Sequence, residues 1–139
     1  MQEDDVRARF DSARVARLAT VDARGRPHVV PVCFALDGDT IVSAVDAKPK
    51  TTTALRRLAN VRVNPAVSLL VDHYDDDWSR LWWARADGDA RVVEDGSEHA
   101  HGCALLVARY TQYSDMPPRG PVVIVTVRRW SGWSWRQDA

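Results

Sequence analysis

The chain has 139 residues, the length of one domain, and 45% of them are hydrophobic, enough to build a real core. Nineteen Lys and Arg balance nineteen Asp and Glu, so the net charge is zero. A general polyanion binder carries a basic excess, which argues against nucleic acid as a main partner and confines any anion site to a local patch. Cys33 and Cys103 allow one disulfide arithmetically, but nothing else marks a secreted scaffold. The acidic start, Met1 to Asp5, lacks the basic and apolar regions of a signal peptide. No apolar run reaches the roughly 18 residues of a membrane helix. A cytoplasmic protein with no membrane partner is the expectation.

Residues 3–13 have helical character, with Val6, Phe10 and Ala13 recurring at helical spacing among charges. Val15 to Val21 reads as a strand, and Ala23 to Pro27 as a turn. His28 to Leu36 reads as a second strand, Asp37-Gly38-Asp39 as a hairpin and Thr40 to Val45 as a third strand. Lys48-Pro49-Lys50 leads into a helix from Thr51 to Asn60, with Pro49 setting its entry and Asn60 as its stop. Ala54, Leu55, Leu58 and Ala59 share one face of it. Ala66 to Tyr74 is strand-like. Leu81 to Ala86 and Ala90 to Glu94 flank Asp87-Gly88-Asp89 as a further hairpin. Ser97 to Tyr113 is the longest helical candidate. Val122 to Trp135 closes the chain as a long strand, with a bulge at Gly132. Strands at this spacing with few helices predict a single, mostly antiparallel β-barrel domain of α+β class over residues 1–139.

The strongest local signal is Lys48-Pro49-Lys50-Thr51-Thr52-Thr53. Two ammonium groups and three hydroxyls precede a helix start, whose free N–H groups and dipole favour a phosphate. The plainer reading is a Thr cap beside two solvated lysines. Arg56 and Arg57, one turn on, either extend the positive patch toward a longer anionic tail or form a solvated face. Tyr74, Trp78, Trp82 and Trp83 beside the run Asp75-Asp76-Asp77 either wall a cleft for a planar ring or pack in the core or an interface. Trp133 and Trp135, two apart, point to one strand face and suit packing or subunit contact. Hydrolase, Walker and dinucleotide motifs are absent. His99, His101 and Cys103 fall on a helix where residues two apart diverge, a poor metal set. His28 and His73 read as strand residues, Cys33 as a buried small residue, and Asp72 as a strand-end cap or site hydrogen-bonder. The lack of an acid, base and nucleophile set fits a protein whose cofactor does the chemistry, or a binder without turnover.

Ala16-Arg17-Leu18-Ala19-Thr20-Val21-Asp22 followed by Gly25-Arg26-Pro27-His28-Val29-Val30-Pro31-Val32 resembles the opening strands of pyridoxamine-phosphate-oxidase-like split β-barrels, the flavin/deazaflavin oxidoreductase superfamily. The resemblance continues through Lys48 to Thr51, Leu55-Arg56, Asn60, Pro65 and Ser68 to Asp72, and spans roughly residues 5–135. It is most similar to the actinobacterial branch that uses the deazaflavin coenzyme F-420. The resemblance implies a homodimer with two cofactor grooves between the subunits. It places Lys50 at the cofactor phosphate, Lys48 near the phosphate and tail, and Pro49 and Thr51 at intervening contacts. Pro31 and Val32 fall on the strand beside the ring, Ser43 and Ala44 on the next strand, and Trp78 beside the partner subunit's cofactor. Arg56 would meet the tail. The implied activity is hydride transfer from the reduced coenzyme to a small electron-poor molecule. FMN is the alternative cofactor, for which Arg56 and Arg57 would be idle. A flavin, deazaflavin or haem binder without turnover is the third reading, with His28 or His73 as the axial candidate for haem.

Overall fold

The computed structural model describes residues 1–45 and 52–138. The chain runs α1 (Glu3–Ser12), β1 (Ala16–Val21), β2 (Pro27–Val32), β3 (Ala35–Asp37), β4 (Thr40–Ala44), α2 (Thr52–Val63), β5 (Ala66–His73), a 3-10 turn (Trp78–Arg80), β6 (Trp82–Val93), α3 (Gly96–Arg109), α4 (Thr111–Asp115), β7 (Val122–Ser134) and α5 (Trp135–Asp138). The strands form one antiparallel sheet in the order β2-β1-β5-β6-β7-β4-β3. This is the expected α+β split-barrel architecture.

The edge strands β2 and β3 are consecutive in the chain, joined only through Cys33 and Phe34. Strand alternation explains what happens there. Val30 and Val32 point inward, so Cys33 points out and Phe34 returns to the core. Cys33 is therefore exposed, against the expected burial, and both cysteines are free thiols. The expected strand from His28 to Leu36 is broken at this joint. The Tyr110 hydroxyl spans it, accepting from the Phe34 N–H at 3.0 Å and lying 2.9 Å from the Phe34 carbonyl and 3.0 Å from that of Arg14.

The interior is filled from alternating strand positions, with Leu18, Ile41, Leu69, Val71, Val123 and Val125 almost wholly buried. Helix α1 adds Val6 and Phe10 to this core, and α2 adds Leu58 and Val61. Helix α3 covers the other face of β4 and β7, where Leu106 and Tyr110 meet Val42, Val122 and Ile124. Gly102 permits that approach, since a Cβ there would lie 3.0 Å from a Val42 methyl.

Four expected features differ. Helix α2 continues past Asn60 to Val63, because the Asn60 amide turns inward and donates to the buried Thr20 hydroxyl at 3.0 Å instead of ending the helix. Asp87-Gly88-Asp89 is not a hairpin: β6 runs unbroken through it, paired with β5 on one side and β7 on the other. The bulge falls at Arg128 of β7, opposite the Asp87–Gly88 step, and Gly132 stays in register with Ala84. Gly132 instead marks a close approach, as an added Cβ would lie 2.8 Å from the Met1 sulfur and 2.9 Å from the Trp83 carbonyl. The last predicted helix is two, split at the extended residue Tyr110.

Candidate functional site

The segment carrying Lys48, Pro49, Lys50 and Thr51 lies outside the described residues, but both of its anchors are fixed. Before it, β4 pairs with β7 from Thr40 to Ala44, and the Val45 N–H donates to the Pro121 carbonyl at 3.1 Å. After it, α2 is pinned to the barrel by Leu58, Val61 and the Asn60–Thr20 hydrogen bond.

Arg56, one turn into α2, carries a charge that reaches the turn between β1 and β2. Asp22 organises the β-turn by accepting from the N–H groups of Arg24 at 2.8 Å and Arg26 at 2.9 Å. Its carboxyl is held below the usual range, chiefly by the Arg26 N–H, then by that of Arg24 and the Arg26 and Arg56 charges, against a raising effect of desolvation. His28 is pushed below its ordinary value first by burial and then by the charges of Arg56 and Arg57. The charges of Arg26 and Arg56 thus act on Asp22, and those of Arg56 and Arg57 on His28. Such local positive charge favours an anion.

Ser43 lies on β4 two residues before Val45. It is 3% exposed, and its hydroxyl has no hydrogen-bond partner. An unsatisfied buried polar group costs about 1–3 kcal/mol, so buried orphans are uncommon and often functional. Ala44, its neighbour, is half-buried on the α3 side of the strand. Across the sheet, Pro31 is exposed, whereas Val32 is buried in the core.

Pro31 belongs to a wider surface. The register sets Pro31, Arg17, Leu70, Arg85 and Ser131 abreast on one face, with Val29, Ala19, Ser68 and Asp87 in the next row. Asp72, Trp83 and Trp133 form a third row. None of the helices packs in number against β2 or β5, and Val29 is 59% exposed. The face is held together by Arg85, which reaches Asp87 at 3.1 Å and lies over the Trp83 ring, and by a Ser68–Asp87 hydrogen bond.

The four aromatics from Tyr74 to Trp83 do not form one wall within a protomer. Tyr74 and Trp78 project into solvent, Trp78 from the 3-10 turn that Asp77 caps. Trp82 and Trp83 point to opposite faces of β6, Trp82 toward α1 and Trp83 toward the open face. Trp133 lies on that open face, but Trp135 leaves the strand as the first residue of α5, so the two do not share a surface. Arg26 was not visible as a site residue from sequence; its proximity to Arg56 arises from tertiary packing, which no local motif encodes.

The remaining candidates have local partners. The His99 ring meets the Gly120 carbonyl at 2.9 Å, and His101 meets Asp37 at 2.8 Å. Cys103 lies 3.7 Å from His99 Nδ1, and burial pushes its thiol up. Among the described residues no cluster of three His, Cys, Asp or Glu is placed to hold a metal ion, and no helix is long and apolar enough to cross a membrane. Asp72 pairs with Trp83 in the β5–β6 ladder and is exposed.

Comparison with known proteins agrees with this architecture. The family model described as pyridoxamine 5'-phosphate oxidase matches residues 2–134. Among solved structures, a conserved hypothetical protein of Mycobacterium tuberculosis superposes with a TM-score of 0.79 at 24% identity, covering 98% of this chain and 86% of that one. An FAD-binding protein of Mesorhizobium loti gives 0.74 at 20% identity over 95% and 94% of the two chains. The haem storage protein HutZ of Vibrio cholerae gives 0.72 at 19% identity over 95% and 93%. These identities establish a shared fold. No curated protein matches the chain. With its model matched over nearly the whole length, this chain belongs to the pyridoxamine 5'-phosphate oxidase family.

Proposed function

We propose that the protein is an oxidoreductase that binds reduced deazaflavin coenzyme F-420 and reduces a small electron-poor organic molecule. The observation that carries this reading is the positive charge of Arg56 and Arg57, one turn into α2, acting with Arg26 around Asp22 and His28, close in sequence to the segment containing Lys48 and Lys50. Two lysines suffice for a single phosphate. Further guanidiniums gain a purpose when the ligand also carries a string of carboxylates, as the oligoglutamate tail of the deazaflavin does.

The residues present fit such a group. Lys50, Lys48 and Thr51 would hold the phosphate, and Arg56 the tail. Ser43 brings an orphaned hydroxyl, Pro31 an apolar surface, and the Val32 backbone a hydrogen-bonding edge. When bound, the reduced coenzyme supplies a hydride. The chain orients the two reactants and excludes water around them. The open sheet face through Val29, Pro31, Leu70 and Trp83 is the surface on which a second copy would close the groove. The exposed Trp78 would then reach the partner subunit's cofactor.

A flavin or haem binder is the competing reading, favoured by the similarity of fold to an FAD-binding protein and to a haem storage protein. The test is a Lys50→Ala variant titrated with the deazaflavin coenzyme. Affinity should fall about 10- to 100-fold, the equivalent of the roughly 1.5–3 kcal/mol of a charged hydrogen bond. Unchanged affinity would remove Lys50 from the site, and retention of a Soret band in the purified wild type would favour haem.

A further inference from the structure

A second basic cleft lies at the opposite end of the sheet. At β7 Val122 the sheet pairs with Ala44 of β4, where the segment 46–51 departs. At β7 Ser134 it pairs with Trp82 and borders a cleft of about 540 Å³. Twelve residues separate Val122 from Ser134, about 40 Å of extended strand. Within one protomer this cleft is therefore remote from the end of β4.

Its lining brings together guanidiniums from three separate parts of the chain: Arg9 of α1, Arg80 of the 3-10 turn and Arg136 of α5. Each is positioned from one side and left with donors to spare. The Arg9 guanidinium lies 4.5 Å from the Trp82 ring centroid, a contact that uses its flat face and none of its N–H groups. Arg136 donates through Nε to the Ser79 carbonyl at 3.2 Å, leaving its two terminal nitrogens. Arg80 meets Asp75 only at 3.6 Å. His73 stacks on Trp82 at 6.3 Å between centroids and lies 3.7 Å from Asp75.

Two carboxylates of the same loop accept hydrogen bonds within it. Asp77 accepts from the Ser79 N–H at 3.1 Å and hydroxyl at 2.7 Å, and Asp75 Oδ1 accepts from the Asp77 N–H at 2.8 Å. They shape the turn that presents Arg80. Three guanidiniums and one carboxylate, that of Asp75, line the cleft, and the unspent donors belong to the guanidiniums. Arginine forks of this kind match planar or tetrahedral oxyanions.

We infer that this cleft is a binding site for a small multivalent oxyanion, gripped by Arg9, Arg80 and Arg136. The shared ligand chemistry is two or more adjacent anionic oxygen groups, from a phosphate ester or a polycarboxylate. The inference stands on residues that the cofactor reading does not use.

The test is a titration of the whole purified protein, free of cofactor, with inorganic pyrophosphate and separately with citrate. The readouts are calorimetry and tryptophan fluorescence, to which Trp82 reports directly. Saturable binding is expected with at least one probe, weakened tenfold or more by Arg136→Gln and by Arg80→Gln. Arg24→Gln, on the distant β1–β2 turn, should leave it unchanged. Both cleft residues are exposed, and an unchanged melting temperature verifies that each variant is folded. Binding of pyrophosphate alone assigns a phosphate ligand, and of citrate alone a polycarboxylate. Absence of saturable binding by both probes overturns the inference. So does equal affinity in wild type, Arg136→Gln and Arg80→Gln. Because neither probe contains a ring, failure here is separable from failure to bind the deazaflavin.

Discussion

At the scale of single residues, the tightest constraints fall where polar atoms are buried. The Tyr110 hydroxyl ties both backbone groups of Phe34 and so fixes the joint between the two edge strands. Tyr110→Phe removes it and leaves the Phe34 N–H without its partner. Stability should fall by about 1–3 kcal/mol, measured by denaturant unfolding, because an orphaned buried donor bears its full desolvation cost. A loss below a few tenths would show that the joint holds without the tyrosine. Gly132 gives an independent check. A methyl group there would meet the Trp83 carbonyl and the Met1 sulfur, so Gly132→Ala should cost about 1–3 kcal/mol, the range for overpacking.

His28 sets a pH dependence at the same scale. Burial, then Arg56 and Arg57, keep its folded pKa below the ordinary 6.5. Folding therefore favours the neutral ring. The unfolded chain binds the extra proton between the two values, so stability is present above about 6.5 and is lost as the pH falls through that window. Replacing His28 by Gln should flatten this part of the curve. Comparing the fall in denaturation midpoint between pH 7.5 and pH 5.5 in the two proteins checks it, and parallel curves would contradict the assignment.

At the scale of elements, the helix and strand periods were largely legible because burial alternates along β1 and β5. What was not legible came from contacts between elements. Asn60 looks like a helix stop by its own propensity. Only the buried Thr20 hydroxyl on β1 makes it an interior hydrogen-bonding residue. Asp87-Gly88-Asp89 has the composition of a hairpin, yet β5 and β7 pair on either side of it and hold the strand straight. Gly88 is needed there for another reason, since a Cβ would fall 2.2 Å from the Thr126 carbonyl. Asn60→Ala should therefore destabilise the fold through an orphaned Thr20 hydroxyl, by about 1–2 kcal/mol. It should do so without shortening α2, which circular dichroism would show.

At the scale of the whole molecule, fold and site differ in how much sequence reveals. The order of strands and the strand-turn motif from Ala16 to Val32 were enough for the architecture. The proposed site is legible in local residue chemistry as the run Lys48 to Thr53, while Pro31, Val32, Ser43, Ala44 and Trp78 enter it only through the family resemblance. The group of Arg26, Arg56 and Arg57 and the cleft of Arg9, Arg80 and Arg136 each assemble from distant segments, which no spacing rule joins. The open face through Val29 and Trp83 carries its own prediction. If two copies pack there, Val29→Glu should shift the protein from dimer to monomer in sedimentation velocity, while a wild type that is monomeric at micromolar concentration would contradict the shared groove. The central claim is tested most directly by titrating the purified protein in parallel with the deazaflavin coenzyme and with FMN, following tryptophan quenching. Clear preference for the deazaflavin, diminished in Arg56→Gln, is the predicted result; preference for FMN, or binding of neither, would contradict it.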